Sequence, residues 1–380
     1  MKRIAIVGAG EFQNPLILKA KEMGYETHVF AWKCGDPGEQ AADFFYPVSI
    51  VEKEEILGIC RGMQPEGIVS IASDLAMVTV NYVARELELA GNNDVCTLRT
   101  TNKFEMRKAL CDAGIPTPRF CLLGVQCKSL PQDMHYPLIV KPTDRSGSRG
   151  ITKVENPQEL MEAVDCATAY SFEQKAIAEE FIEGEEYSCE SISFAGKHTC
   201  LAITKKYTTG APHYIETGHV QPAEFTERES DKIKMAVTCA LDALDITVGA
   251  SHAEFRIGPD GEVRIIEVGA RMGGDCIGSH LVPLCTGYDF LKMVIDAACG
   301  RKPELAAGDK EEVAAIRFIL TEGDREQLEQ IRRIAPGIIA AESPLKPFNP
   351  EGVLDSSTRA GYYILAGNRE KIVDFFGMTL

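Results

Sequence analysis

Two glutamates and one arginine in the second half of the chain have the types and spacing of a site for a metal-bound nucleotide. Glu254 and Glu267 lie thirteen residues apart on a segment that predicts a β-hairpin, and Arg271 follows four residues after the second. Paired carboxylates bind Mg²⁺, and a guanidinium neutralises a phosphoryl group during its transfer. The alternative is two exposed glutamates on a solvated strand. Because Glu267 stands in the apolar run 265–268, where a lone exposed charge is unexpected, we favour the metal.

Whether the two carboxylates meet depends on the length of the hairpin loop. A four-residue loop, 258–261, would place Glu254 opposite Ile265 and make Glu267 its diagonal neighbour on the same face. Diagonal positions are about 7–8 Å apart, which lets two carboxylates share one or two metal ions. A loop one residue shorter would send the two side chains to opposite faces. The metal hypothesis therefore requires the four-residue loop.

A lysine at the end of a buried strand precedes a loop rich in glycine and serine. The predicted strand 137–141 ends in Lys141, and Ser146, Gly147 and Ser148 lie in the loop that follows. A buried lysine is costly unless an anion meets it, and a glycine-rich loop can turn its N–H groups toward a phosphate. This combination is typical of a phosphate-binding lid. A flexible hairpin beside a lysine that reaches solvent is the alternative.

An acidic turn between two predicted strands, within residues 176–188, could contact a nucleoside. Its main-chain groups could read an adenine edge, and a carboxylate could hold ribose hydroxyls. The alternative is an acidic surface turn. The residues concerned are Glu180, Phe181, Ile182 and Glu186.

The first 95 residues alternate predicted strands and helices, the pattern of a parallel, Rossmann-like unit. Gly8-Ala9-Gly10 follows the first strand as in a dinucleotide site, but Gln13 and Asn14 stand where the third glycine of that fingerprint is expected. The turn therefore serves another ligand or only the fold. The predicted elements are strands at 3–7, 26–32 and 67–72 and helices at 14–23, 53–63 and 75–89.

The rest of the chain predicts a linker and further mixed modules. A helix predicted at 100–113 ends at Gly114-Ile115-Pro116-Thr117-Pro118, whose prolines mark a linker. A small α+β module follows, and residues 310–380 form a separate small tail. The other predicted helices lie at 157–169, 228–244 and 288–299, with mostly strand-like sequence between 188 and 270.

The composition fits a globular protein of two or three domains. The chain has 380 residues and a formal net charge of −16, which argues against nucleic-acid binding because that needs clustered Lys and Arg. No apolar run approaches the roughly 18 residues of a membrane span. Thirteen cysteines without a CxxC pair indicate a reduced, cytoplasmic protein rather than a zinc site.

The order and spacing of the candidate residues along roughly residues 1–300 resemble the ATP-grasp superfamily. The resemblance includes the Rossmann-like domain that precedes the grasp in carbamoyl-phosphate synthetases, biotin carboxylases and purine-pathway ligases, and it is closest to the carboxylate–amine ligases. It implies a fold of α/β and α+β class, in which an N-terminal Rossmann-like (pre-ATP-grasp) domain precedes a two-part ATP-grasp fold and a small C-terminal α+β tail. The matching positions are Lys103, Lys141, Glu180 to Glu186, Glu254, Glu267 and Arg271.

The resemblance also implies a division of the chain and a role for each matching residue. The implied parts are the Rossmann-like domain (1–99), a linker helix (100–118), a small lid subdomain (119–187), a large subdomain with the metal site (188–305) and a C-terminal subdomain (306–380). The implied nucleotide contacts are Lys103 and Lys141 on the phosphates, Ser146, Gly147 and Ser148 in a mobile loop above them, Glu180 with the backbone of Phe181 and Ile182 on adenine, and Glu186 on the ribose.

The implied metal ligands are Glu254 and Glu267, with Mg²⁺ as the ion and Mn²⁺ as an alternative. Arg271 would stabilise an acyl phosphate, which makes Arg271 and Lys141 the implied catalytic residues. One departure concerns the metal shell, since the family often has Asn two residues after the second glutamate and this chain has Gly269. Glycine supplies no side-chain ligand, so water or substrate would complete the shell. A first metal ion is unaffected, and a second is left open.

Candidate substrate residues lie at three places. The pair at 73–74 follows the third strand of the first domain, at the sheet edge where ligands bind, but would serve equally well as a helix N-cap. The histidine at 219 could meet substrate or phosphate, or be a satisfied surface residue. The turn 273–275 could present N–H groups to a carboxylate or phosphate. The candidates are Ser73, Asp74, His219, Gly273, Gly274 and Asp275.

The resemblance implies an ATP- and Mg²⁺-dependent carboxylate–amine ligase. A substrate carboxylate, expected to be an amino acid or a similar small acid, would attack the γ-phosphoryl group of ATP, and an amine would displace phosphate from the acyl phosphate. Such an enzyme releases ADP and acts on small-molecule partners, and it binds neither nucleic acid nor a membrane. A homodimer is compatible with this activity. A purine-pathway ligase, a non-catalytic nucleotide-binding protein and an NAD-binding oxidoreductase stay open as alternatives.

Overall fold

Three β-sheets organise the part of the chain that the structure describes. The computed structural model describes residues 2–124, 129–211, 214–350 and 352–376. The sheets have four, four and eight strands, and they follow one another along the sequence. Among the described residues, no helix combines the length and the apolar character needed to cross a bilayer.

The first sheet is parallel and has the strand order β3-β2-β1-β4. Ile4 and Ile6 pack into one apolar core and Ala5 and Val7 into another, so β1 is buried on both faces. This is the environment that the apolar run at the start of the chain predicts for a parallel sheet. The strands are β1 (Lys2–Val7), β2 (Tyr25–Phe30), β3 (Phe44–Tyr46) and β4 (Gly67–Val69), and the helices are α1 (Asn14–Glu22), α2 (Pro37–Ala41), α3 (Lys53–Met63) and α4 (Asp74–Glu86).

Two short helices replace the single helix predicted at 100–113. They are α5 (Asp94–Thr101) and α6 (Lys103–Asp112), and Asn102 between them is extended, with φ −117° and ψ 114°. Its side-chain oxygen accepts hydrogen bonds from the N–H groups of Phe104 and Glu105, so it caps the second helix. The prediction of one helix is therefore wrong, and Lys103 stands at the first position of α6.

The second sheet is antiparallel, with the order β5-β8-β6-β7, and it carries one helix. Leu138, Val140, Ala176 and Ala178 turn their side chains toward that helix and form a separate core with it. The elements are β5 (Phe120–Gly124), β6 (Leu138–Pro142), β7 (Thr152–Val154), α7 (Pro157–Tyr170) and β8 (Lys175–Glu180).

The third sheet has eight strands in the order β13-β12-β9-β10-β11-β14-β16-β15. Its first five strands in sequence are β9 (Glu185–Phe194), β10 (Lys197–Thr208), β11 (Glu216–Gln221), β12 (Gly249–Ile257) and β13 (Val263–Gly269). The last three are β14 (Val313–Ile319), β15 (Ile339–Glu342) and β16 (Gly361–Gly367). The helices of this region are α8 (Glu227–Ala243), α9 (Val282–Thr286), α10 (Phe290–Ala298), α11 (Glu322–Ile334) and α12 (Arg369–Phe376).

The C-terminal strands continue this sheet. Gly218 to Gln221 of β11 pair antiparallel with Ala314 to Arg317 of β14, so hydrogen bonds cross the predicted boundary at 305/306. The tail is thus joined to the central sheet, although it also has its own apolar core. The division into five parts stays a proposal.

The hairpin β12–β13 has a different register from the one the sequence predicts. Ile257 pairs with Val263, so the loop has five residues, 258–262, and the expectation of four is wrong. A shift of one residue would by itself send the two glutamates to opposite faces. A β-bulge between Glu254 and Phe255 on one strand, opposite Ile266 on the other, corrects it, and Glu254 pairs directly with Glu267.

A buried arginine fixes that bulge. The guanidinium of Arg107, on α6, donates to the main-chain oxygen of Ile266, the residue that the bulge leaves without a cross-strand partner. Arg107 is completely buried. The two acidic side chains therefore share one face for a reason that lies about 160 residues away in the sequence.

Candidate active site

One cavity of about 510 Å³ lies between the second and third sheets, with the first domain at its edge. It brings together sixteen of the eighteen predicted site residues. Asp74 and Gly273 do not line it; Asp74 contacts Arg271, which does, and Gly273 contacts Glu190, which does not. The predicted residues in its wall are Ser73, Lys103, Lys141, Ser146, Gly147, Ser148, Glu180, Phe181, Ile182, Glu186, His219, Glu254, Glu267, Arg271, Gly274 and Asp275.

The two facing glutamates each pair with a lysine. Lys103 Nζ lies 2.7 Å from Glu267 Oε1, and Lys206 Nζ forms an ion pair with Glu254 Oε1. Burial alone would raise the pKa of Glu254, but Lys206 and His252 outweigh it and hold that pKa well below its ordinary value. Burial alone would lower the pKa of Lys206, but Glu254 and Glu186 outweigh it and raise that pKa. Glu254 and Lys206 are thus both charged at neutral pH.

The donor set fits a divalent cation that also binds phosphate. Glu254 and Glu267 stand opposite each other in the ladder, and Mg²⁺ in proteins is usually held by one or two carboxylates together with substrate phosphates. No group of three or more His, Cys, Asp or Glu side chains forms a ready-made cage among the residues that the structure describes. The remaining ligands would therefore come from the nucleotide and from water.

Lys141, the buried lysine that was expected to need an anion beside it, pairs with a glutamate of the protein itself. Lys141 Nζ lies 2.8 Å from Glu179 Oε2, and Arg107 Nε lies 2.7 Å from Glu179 Oε1. The Arg107 contact has the distance of an ion pair without the geometry of a hydrogen bond. Burial lowers the pKa of Lys141, and Glu179 opposes this. Two cations share one carboxylate, so positive charge is left over to face the cavity.

Arg271 is held by an acidic residue of the first domain. Its Nε and Nη2 atoms lie 2.8 and 2.9 Å from Asp74 Oδ1 and Oδ2. Ser73 caps α4, since its hydroxyl accepts a hydrogen bond from the Ala76 N–H at 3.3 Å. A Cβ at Gly269 would lie 2.7 Å from Asp74 Oδ1. Glycine at this position therefore leaves room for the ion pair between Arg271 and Asp74. This steric role is separate from the lack of a metal-binding side chain at the same position.

The turn after Arg271 uses one of its N–H groups internally. Gly273 N donates to Glu190 Oε2 at 2.9 Å, so the prediction that this N–H clamps a substrate is wrong. Glu190 is completely buried and also pairs with His252 Nδ1, while His252 Nε2 lies 3.2 Å from Glu254 Oε1. Burial lowers the pKa of His252, but Glu190 and Glu254 raise it to about 9. A protonated imidazole therefore bridges the two acids.

Aromatic and charged side chains surround the nucleotide end predicted by the sequence. Arg256 stacks 5.0 Å from the Phe181 ring and 5.6 Å from the Tyr214 ring. Its Nη2 atom lies 2.9 Å from Glu186 Oε2. The Ser148 hydroxyl, in the glycine-rich loop, donates to the main-chain oxygen of Tyr214 at 3.4 Å. The predicted lid and the predicted ribose carboxylate thus lie on the same side of the cavity.

The far end of the cavity is built partly by the C-terminal region. Arg359 Nη1 and Nη2 lie 3.0 and 2.6 Å from Asp275 Oδ2 and Oδ1, and His219 Nε2 lies 3.4 Å from Asp275 Oδ2. The Ser356 hydroxyl donates to Glu216 Oε2 at 2.9 Å. His219 is 1% exposed, so the alternative of a surface histidine is wrong.

Sequence reasoning missed several residues of this site. His252 stands two positions before Glu254 on the same strand, so the period of two places both on one face and would have pointed to it. The others come from elements whose partners are distant in sequence, and no local signal identifies them. These are Arg107, Glu179, Glu190, Lys206, Arg256 and Arg359.

Comparisons with known proteins agree with the fold. A family model described as an ATP-grasp domain matches residues 134–279. An alanine–anticapsin ligase of Bacillus subtilis is 26% identical over 304 residues, which cover 70% of this chain and 64% of that protein. The chain thus spans less than two thirds of the curated relatives it matches first, with a range of 60 to 64%.

Two solved structures match nearly the whole chain. An L-amino acid ligase from Bacillus licheniformis has a TM-score of 0.81 and 25% identity, and the match covers 99% of this chain and 96% of that one. A phosphoribosylglycinamide synthetase from Anaerococcus prevotii has a TM-score of 0.77 and 21% identity, covering 98% and 96%. These matches confirm the predicted fold class, a parallel N-terminal domain followed by the two antiparallel sheets of the grasp.

Proposed function

Because the chain is an ATP-grasp domain protein related to L-amino acid ligases and carbamoyl phosphate synthases, we propose that it is an ADP-forming ligase that joins a small carboxylic acid to an amine. The observation that carries the proposal is the direct pairing of Glu254 with Glu267 inside a cavity that also holds Lys103, Lys141 and Arg271. Acidic groups for a metal ion and cations for phosphate thus face the same space.

The first step is transfer of the γ-phosphoryl group of ATP to the substrate carboxylate. Such transfers need positioning and charge neutralisation more than covalent help from the protein. Glu254 and Glu267 would hold a divalent cation, which would supply charge neutralisation for the phosphates. Lys103 exchanges its contact with Glu267 for phosphate, and Lys141, whose carboxylate partner is shared with Arg107, adds a second cation.

The nucleotide lies at the end of the cavity lined by Phe181. Glu180 and the backbone of Phe181 and Ile182 hold adenine, and Glu186 holds the ribose beside Arg256. Ser146, Gly147 and Ser148 cover the phosphates. Gly147 and Ser148 support this role because their positive φ values, 72° and 59°, turn consecutive N–H groups to one side. A covering loop excludes water, which would otherwise hydrolyse an acyl phosphate.

The second step is displacement of phosphate by the amine. Arg271 neutralises the acyl phosphate as charge moves onto the leaving oxygens. Asp74, the two-point partner of Arg271, holds this guanidinium in place. Ser73, Gly274 and Asp275 belong to the wall of the same region. An amino acid as the carboxylate is supported by the names of two relatives, the alanine–anticapsin ligase and the L-amino acid ligase.

A nicotinamide dinucleotide at the first strand is disfavoured by the side chain of Gln13. A Cβ at Gly8 would lie 3.1 Å from Gln13 Cγ, and one at Gly10 would lie 2.9 Å from Gln13 Oε1. Gln13 Nε2 donates to the main-chain oxygen of Ile71 at 2.8 Å. The side chain therefore fills the space beside the Gly8-Ala9-Gly10 turn where a pyrophosphate would approach.

The test is a phosphate-release screen with ATP and Mg²⁺ against pairs of the twenty standard amino acids and a panel of small carboxylates. We expect phosphate and ADP to appear only when a carboxylate is present, and a condensed product to appear by mass spectrometry. ADP release that is independent of every carboxylate and amine tested would instead favour a nucleotide-binding protein without ligase chemistry.

A further inference from the structure

A buried histidine at the far end of the cavity has one ring nitrogen engaged and the other free. His219 lies on β11, is 1% exposed and lines the cavity. Its Nε2 atom faces Asp275 Oδ2 at 3.4 Å, whereas Nδ1 has no hydrogen-bond partner. An ionised carboxylate only accepts hydrogen bonds, so the proton is on Nε2 and the lone pair is on Nδ1.

Three neighbours hold this imidazole in place. Asp275 is fixed by two contacts from Arg359, at 3.0 and 2.6 Å. The Phe318 ring packs edge-on against the imidazole with ring centroids 5.7 Å apart, and Arg359 stacks 3.6 Å from that same ring. A histidine whose tautomer and orientation are set by a carboxylate is the arrangement that enzymes use to accept a proton.

The charges around His219 keep it neutral at pH 7. Burial lowers its pKa below the ordinary value, and Lys206, its cross-strand neighbour on β10, acts in the same direction. Asp275 and Glu216 oppose this without reversing it. Burial would raise the pKa of Asp275, but Arg359 and His219 outweigh it, so this acid stays ionised. The free nitrogen is thus in the form that can accept a proton.

Ligation requires such a base. An amine substrate arrives mostly as an ammonium ion, which has no lone pair for attack until it loses a proton. The other carboxylates of the cavity centre are engaged by cations, Glu254 by Lys206, Glu267 by Lys103 and Glu179 by Lys141. Glu216, which accepts a hydrogen bond from the Ser356 hydroxyl, leaves negative charge near His219 that attracts an ammonium ion.

We propose that His219 accepts the proton of the amine substrate through Nδ1, with Asp275 as the residue that positions it and Arg359 as the residue that fixes Asp275. This inference rests on the ligase function proposed above. The ammonium gives one proton to His219, the free amine attacks the acyl carbon, and the C–N bond forms as the C–O bond to phosphate breaks. The second proton of the attacking nitrogen leaves with the phosphate, and His219 returns the first to solvent.

Hydroxylamine separates this step from the rest of the reaction. It is unprotonated at neutral pH and attacks acyl phosphates without a base, giving a hydroxamate. The experiment incubates the full chain with ATP, Mg²⁺ and the twenty L-amino acids, with and without hydroxylamine, and measures hydroxamates and amino-acid ligation products. For His219→Gln at pH 7, we expect the rate of ligation to fall by about 10² to 10⁴-fold. This loss should be at least about tenfold larger than the loss in the rate of hydroxamate formation.

A second histidine provides the matched control. The His198 side chain is also only 2% exposed and also pairs with an aspartate, since its Nε2 lies 3.2 Å from Asp242 Oδ1, but it does not line the cavity. His198→Gln should leave the ratio of ligation to hydroxamate unchanged. Ligation by His219→Gln should rise about tenfold per pH unit as free amine becomes available, and Asp275→Asn should show the same trend more weakly.

Each outcome has a distinct meaning. Equal losses of ligation and hydroxamate in His219→Gln, or no loss of either, would overturn the base assignment while leaving the ligase function standing. Absence of both products in the wild-type chain would overturn the proposed function, and the base assignment with it. Hydroxamate formation by the variant also shows that the substituted chain has folded.

Discussion

Arg271 and Asp74 form a two-point ion pair that joins the end of the metal-site hairpin to the first domain. The contacts are 2.8 and 2.9 Å, and both side chains are largely shielded from water. Burial would lower the pKa of Arg271, but Asp74 reverses this and raises it. The arginine is therefore held ready at one place, with its remaining N–H groups directed away from Asp74.

Arg271→Ala should remove the charge that neutralises the acyl phosphate. We expect kcat to fall by about 10² to 10³-fold, the effect of losing one preorganised donor at a developing negative charge, while the Kd for ATP changes little. Steady-state kinetics and a nucleotide-binding titration measure the two quantities. Arg271→Lys is the companion variant, because it retains the charge and loses the two-point contact. Wild-type turnover in Arg271→Ala would contradict the role.

Gly269→Ala should disturb the same ion pair from the other side. The added Cβ would lie 2.7 Å from Asp74 Oδ1, closer than Cβ atoms approach other atoms in proteins, and a tight 3.1 Å from Arg271 Nε. We expect the free energy of unfolding to fall by about 1–3 kcal/mol, the usual range for overpacking. Chemical denaturation of Gly269→Ala, Asp74→Ala and the double variant forms a cycle. If the loss of unfolding free energy in the double variant equals the sum of the losses in the two single variants, the two positions do not interact.

Glu267→Gln should abolish carboxylate-dependent ADP formation and leave the fold intact. The substitution preserves size but removes the charge that a divalent cation needs. It also leaves Lys103 without its partner at 2.7 Å, which a phosphate can replace. Isothermal titration of Mg²⁺ in the presence of a non-hydrolysable ATP analogue would report the metal site directly. Undiminished turnover and metal affinity in this variant would remove Glu267 from the metal shell.

The strand pattern of the sequence predicted the parallel first domain and the acidic hairpin, because both follow from local periodicity. The reason the two glutamates share a face was not predictable, since the bulge at Ile266 depends on a contact with Arg107 about 160 residues earlier. The partner of Lys141 was hidden for a related reason. Glu179 becomes its neighbour only through the pairing of β6 with β8, which sequence alone does not reveal.

The C-terminal region shows the same limit at larger scale. The attachment of its strands to β11 was not predicted, so nothing in the sequence indicated that Arg359 reaches the cavity. Gly269 is the opposite case, because the sequence alone showed that glycine stands where the resembling family often has Asn. Its physical reason, the space occupied by Asp74, required the fold. Local patterns therefore located the chemistry, and non-local packing decided which partners surround it.

Asp324→Asn should weaken the attachment of helix α11, which lies in the C-terminal region, in a pH-dependent way. Asp324 Oδ1 accepts from Arg317 Nη2 at 2.7 Å, and Oδ2 accepts from the Thr321 N–H at 2.9 Å. Burial would raise the pKa of this acid, but Arg317 and Thr321 outweigh it and the pKa is lowered. A carboxylate with a lowered folded-state pKa stabilises the fold above its unfolded pKa, near 3.9, and loses that contribution as the pH falls further.

We therefore expect Asp324→Asn to reduce the free energy of unfolding by about 2–4 kcal/mol at pH 7, because a half-removed ion pair leaves Arg317 partly unpaired. The difference between variant and wild type should shrink as the pH drops below about 4, because the carboxyl is protonated first in the unfolded chain and only at lower pH in the folded chain. Urea denaturation at pH 7 and pH 3 measures both values. Glu322→Gln, at an exposed position of the same helix, is the control and should have little effect at either pH. A deficit in Asp324→Asn that stays constant between the two pH values would show that the carboxylate acts through its shape and not through its charge.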